Sequence, residues 1–212
     1  MNRRVLVLLL LVCTGTAHAG LPAVDHTEVS NAAYAAFMQA QPQRPRPKYW
    51  DEYRSEHFRN SPAARLAPFT RDTFTQPDHP VVGVSWHDAH DYCRWRGQRL
   101  PTLAEWRRAA GADDGRIWPW GNQWDYKKAN SGGERHGEYD GYTYAAPVDS
   151  FPAGRAPGGA LHMAGNVAEW VEEQHVVGGS SNSSPSGVAI QSAVPRAPEY
   201  RSFDIGFRCI AR

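Results

Sequence analysis

HPVVGVSWHDAHDYCRWRGQRLPTLAEWRRAA, residues 79–110, holds the clearest local signals in the chain. Ser85 followed by Asp88 is a capping box: each side chain can take up a backbone N–H that the first helical turn leaves unpaired. The helix it opens places Ala89, Tyr92, Cys93 and Arg96 on one side and stops at Gly97. Thr102 and Glu105 repeat the device, with Leu103, Trp106 and Ala110 at helical spacing and Gly111 as the stop. Val81, Val82 and Val84, just upstream, predict a short strand. The stretch reads as one helix–loop–helix unit.

Upstream, Ser30 is placed to cap a helix carrying Ala33, Tyr34, Phe37 and Met38 on one face, ended by Gln41-Pro42. QPQRPRPK, residues 41–48, is proline-spaced and basic and predicts an extended surface loop. Residues 49–79 show no sustained periodicity and predict irregular chain anchored by Trp50, Tyr53, Phe58, Phe69 and Phe74. Downstream, Gly132-Gly133, Asp140-Gly141 and Pro157-Gly158-Gly159 mark turns. With no repeat and no long linker, residues 20–212 read as a single domain.

The 212 residues carry 23 Lys+Arg against 22 Asp+Glu, a formal net charge of +1, which argues against a surface built to grip nucleic acid. Nineteen Gly, 16 Pro and 8 Trp describe a loop-rich body whose core rests on aromatic rings. Arg3 and Arg4, the apolar run Val5–Val12 and Ala17-His18-Ala19 predict a secretory signal peptide over residues 1–19, hence a periplasmic or secreted protein. The run is far too short for a membrane span, which takes about 20 residues. Cys13 offers a lipoprotein alternative, although Val12 suits that processing poorly. Beyond the leader only Cys93 and Cys209 remain, and a lone pair in an oxidising compartment is expected to form a disulfide. A redox-active pair would usually show C-x-x-C spacing.

Phosphate-binding loops, dinucleotide fingerprints, H-E-x-x-H and G-x-S-x-G are all absent. His87 and His90 can offer two nitrogens from one helix to a metal, or form an ordinary polar face with Asp88 and Asp91. Asn130, Asp140 and the run Gly165-Asn166-Val167-Ala168-Glu169 set hard oxygens beside turning backbone, the chemistry calcium accepts. Ordinary turns use the same residues.

Residues 79–110, followed by WPWG at 118–121, APVDSFPAG at 146–154, MAGNVAEW at 163–170, GGS at 178–180 and IGFRC at 205–209, together resemble the formylglycine-generating enzyme, or sulfatase-modifying factor, family. The resemblance implies an α+β fold: the formylglycine-generating-enzyme variant of the C-type lectin fold, loop-rich, with short helices, a small antiparallel sheet and bound calcium. It pairs Cys93 with Cys209, joining helix to C-terminal strand. It assigns one calcium site to Asn130 and Asp140 by side chain and to Ser131 and Tyr142 by backbone. A second falls on Gly165 and Val167 by backbone and Glu169 by side chain, with His162 where the family usually has an amide, a poorer ligand for a hard cation. The family's two catalytic cysteines, which bind copper(I), follow the GGS motif. Here Ser180-Ser181-Asn182-Ser183-Ser184-Pro185 stands instead, so no copper is expected.

Three functions follow as expectations. The first is an exported, non-catalytic relative that binds a protein or peptide partner through Ser180, Ser181, Asn182 and Ser183. The second is a divergent periplasmic metal-dependent oxidoreductase of the siderophore-maturation or iron-dependent type. The third is a purely structural subunit.

Overall fold

Both capping boxes form as the sequence predicts. In the computed structural model, which describes residues 23–52, 73–132 and 140–212, helix α3 (Trp86–Trp95) starts with Ser85 N–H on Asp88 Oδ2 at 2.8 Å and Asp88 N–H on Ser85 Oγ at 3.2 Å. Helix α4 (Leu103–Ala110) starts with Thr102 N–H on Glu105 Oε2 at 2.9 Å and stops at Gly111, whose φ of 100° lies in the left-handed region. Helix α1 (Asn31–Ala40) has Ser30 as its cap, and a short α2 spans Lys48–Glu52. Residues 1–19, expected to be a signal peptide, and Tyr53, Phe58 and Phe69 lie outside the described residues; Trp50 and Phe74 anchor their segment as expected.

Helices α1 and α3 meet through rings. Tyr34 lies 5.5 Å from Tyr92, which lies 5.3 Å from Phe207, and Phe37 packs edge-on to both tyrosines. Inside this cluster Cys93 and Cys209 form the disulfide, both fully buried. Arg96, beside Tyr92 at the end of α3, pairs with Asp25 at 3.3 Å.

The sheet holds β1 (Ala168–Trp170), β2 (His175–Val177), β3 (Ala193–Pro195) and β4 (Ile205–Gly206) in the order β3-β2-β1-β4. It is mixed rather than antiparallel. The β1–β2 and β2–β3 pairs are antiparallel, but the chain re-enters beside β1 in the same direction, making β1–β4 parallel. Val81, Val82 and Val84 are buried yet form no strand. Val81 N–H bonds Val29, Gly83 N–H bonds Ser202, and Gly83 C=O takes Lys48 N–H; three separate partners cannot make a ladder. Finally, Asp25 N–H bonds Cys209 C=O and Val29 N–H bonds Phe207 C=O, so residues 24–29 run along residues 207–210. No helix among the described residues is long and apolar enough to cross a membrane.

Candidate functional site

Gly178 and Gly179 let the chain turn back after β2. A Cβ on Gly178 would sit 2.9 Å from Trp106, and one on Gly179 would sit 2.6 Å from the Gly187 carbonyl. The serine loop that follows is stitched inward. Ser180 donates its hydroxyl to Asp204 at 3.0 Å and its N–H to Ser183 Oγ at 3.0 Å, while Ser181 N–H bonds the Asn166 carbonyl. Of the expected ligand-binding quartet, Ser180 and Ser181 are buried and Ser183 is half-buried, with polar groups that hold the loop in shape. Asn182, Ser184 and Ser186 are what solvent meets.

A patch of tryptophans adjoins this loop. Trp118 donates Nε1–H to Pro185 at 2.9 Å and stacks on Trp120 with the rings 9° apart; Trp124 closes the group 5.3 Å from Trp118. Trp120 and Trp124 are each half-buried.

Asn130, Ser131, Asp140 and Tyr142 come together. Asp140 Oδ2 accepts Ser131 N–H at 2.7 Å and Oδ1 accepts Tyr142 N–H at 3.0 Å. Burial of Asp140 raises its pKa, opposed by those two N–H groups. Asn130 donates Nδ2–H to Tyr144 C=O, yet its Oδ1 is buried without a hydrogen-bond partner among the described residues. A fully buried amide oxygen left open beside a carboxylate fits a hard cation such as calcium.

Gly165, Val167 and Glu169 present a different picture. Glu169 faces Arg208, which reaches both carboxylate oxygens at 2.6 and 2.7 Å, and Trp106 Nε1–H adds a third bond. Arg208 also bonds the carbonyls of Asp25, His26 and Leu161, so all its donor nitrogens are engaged. His162, next after Leu161, is 4% exposed, and neither ring nitrogen has a hydrogen-bond partner among the described residues. Burial, reinforced by Arg208, pushes it down to about 4, which keeps the imidazole neutral. A carboxylate tied to a guanidinium beside an uncharged imidazole does not fit calcium.

Asn166 joins the two regions and stands out only in the structure. Its Oδ1 accepts from Asn130 Nδ2 and from Ala146 N–H, while its Nδ2 donates to Glu28 at 2.8 Å. Glu28 is fully enclosed and its other oxygen has no partner among the described residues; burial raises its pKa to about 7 against the pull of Arg208. Buried charges such as Glu28 and Arg208 give no sequence signal, because these residue types usually stay in water. His87 and His90 do not converge on a metal: His90 stacks on Trp86, and among the described residues no three His, Cys, Asp or Glu side chains are grouped to hold an ion.

Residues 22–212 match the family described as the sulfatase-modifying factor enzyme 1-like domain. The bovine formylglycine-generating enzyme is 36% identical over 154 residues, covering 65% of this chain and 40% of that protein. A second bovine protein, inactive C-alpha-formylglycine-generating enzyme 2, is 29% identical over 229 residues, covering 88% of this chain and 76% of its own. Among solved structures, PvdO from Pseudomonas aeruginosa superposes with a TM-score of 0.67 at 22% identity, covering 89% of this chain and 79% of its own.

Proposed function

The chain belongs to the sulfatase-modifying factor family, and from that premise we propose that it is an exported, non-catalytic member that binds a protein or peptide partner. One observation carries the reading. The two cysteines beyond the leader are joined to each other in a buried disulfide, and the loop after the GGS motif offers hydroxyls and an amide where the reaction needs thiolates. The similarity to an inactive relative over most of the chain points the same way. Calcium at Asn130, Ser131, Asp140 and Tyr142 serves this function structurally, since Gly132 N–H bonds Ser183 C=O and so ties the ion's loop to the serine loop.

The test is a mass-spectrometric assay of a cysteine-containing sulfatase peptide, with and without copper, beside a competent family member. No conversion above the no-enzyme control is expected. Conversion would overturn the reading in favour of a metal-dependent oxidoreductase. A photo-cross-linker at the exposed Asn182 should then capture a partner from the protein's own compartment.

A further inference from the structure

Every polar group of Asn166 is engaged, and the partners come from four separate segments. Its N–H bonds Asn130 C=O at 2.8 Å, and its C=O accepts Ser181 N–H at 2.9 Å. The side-chain oxygen accepts from Asn130 Nδ2 at 3.1 Å and from Ala146 N–H at 2.7 Å, while Nδ2 donates to Glu28 at 2.8 Å. The residue is fully buried, with φ at 63° in the left-handed region that asparagine adopts more readily than most side chains. Gly165 before it permits the close approach, because a Cβ there would sit 2.2 Å from the Asn130 carbonyl oxygen.

These bonds decide how Asn130 is presented. Its Nδ2 donates both to Tyr144 C=O at 2.8 Å and to Asn166 Oδ1, which uses the two N–H donors an amide has. The Asn130 Oδ1 is turned away from both, and this is the buried oxygen without a partner among the described residues. When that oxygen accepts a cation, charge is drawn along the amide and its N–H donors strengthen, so the bond to Asn166 tightens. Asn166 in turn holds the Ser181 backbone, and Gly132 N–H bonds Ser183 C=O at 2.9 Å. Ser180 has a separate anchor in Asp204.

We propose that Asn166 is a positioning residue that couples a cation at Asn130 to the serine loop, so that calcium sets how firmly residues 181–183 are held. This rests on the calcium site and the binding function proposed above. A partner that grips this loop is then bound more tightly with calcium present, since less order remains to be imposed on binding.

The experiment measures backbone NMR order parameters of the full protein with calcium and with chelator, beside a calorimetric titration with calcium alone. With calcium the amides of Ser181, Asn182 and Ser183 should lie near the rigid value of about 0.85, and with chelator they should fall by about 0.1 or more, while those of α3 stay unchanged. The side-chain amide resonances of Asn130 and Asn166 should shift together as calcium binds. Asn166→Gly keeps the left-handed backbone and both main-chain bonds but removes the side chain. It should bind calcium about tenfold or more weakly, and its loop should no longer respond to the metal. Should this variant fail to fold, the two side-chain amides in the wild type decide: an Asn166 signal that stays still while calcium binds overturns the proposal. Bound calcium with unchanged order parameters, or a full loop response in Asn166→Gly, also overturns the coupling and leaves the calcium site and the binding function standing. No heat of calcium binding removes the coupling and the calcium site together.

Discussion

Two regions that the family resemblance treats alike, as oxygen-lined cradles for calcium, differ in what faces their carboxylate. At Asn130 and Asp140 the carboxylate meets, among the described residues, backbone N–H groups, and an amide oxygen is left open there. At Glu169 the chain supplies its own cation, Arg208, locked by bonds to three carbonyls besides the carboxylate. One motif-level likeness thus covers two electrostatic situations. The first region leaves a buried oxygen open, and the second is closed from within.

Removing the internal cation gives the sharpest contrast. Arg208→Ala leaves Glu169 buried without a counter-charge and should cost at least about 3–5 kcal/mol in urea denaturation. Rescue of that variant by millimolar calcium would erase the distinction between the regions. Cys93→Ser, which opens a link between residues 116 apart, should cost about 2–5 kcal/mol. Because that link serves the core around the closed region, the loss should be the same with or without calcium.

Glu28 gives a pH signature of the closed region. Its usual value of 4.5 is raised to about 7 in the folded chain, so the unfolded chain ionises first as pH rises. Stability should therefore fall by about 3 kcal/mol between pH 4.5 and 7 and level off above. Glu28→Gln keeps the acceptor for Asn166 and removes the charge. It should be more stable than wild type at pH 8 and equal to it near pH 4, by urea titrations at each pH.

The open region should show the smallest effect. Calcium at a hundredfold excess over its dissociation constant should raise stability by about 2.7 kcal/mol. Chelator should reverse this, Asp140→Ala should abolish it, and bound metal measured after dialysis should be one ion per chain. Two ions per chain would reopen the region around Glu169.

What the sequence disclosed was local or chemical. Ser85 with Asp88 and Thr102 with Glu105 announce helix starts because a cap needs only its own first turn. The Cys93–Cys209 link followed from there being two cysteines beyond residues 1–19. The rest depends on neighbours distant in sequence. Val81–Val84 has strand composition, but its backbone bonds scatter over three segments. Ser180 reads as a ligand contact until Asp204 takes its hydroxyl, and nothing in the sequence singles out Arg208, whose five N–H groups all find acceptors inside. The parallel β1–β4 pair likewise depends on where a crossover lands.

The seam between residues 24–29 and residues 207–210 bears on how the molecule is made. Asp25 and Val29 find their backbone partners, and Tyr34 its Phe207 neighbour, only when chain emitted almost two hundred residues later arrives. Contacts of such separation make folding slow and leave little for the early chain to settle on during synthesis. Arg208, entering between two half-bonded segments, would then act as the last stitch and place Cys209 beside Cys93 for oxidation.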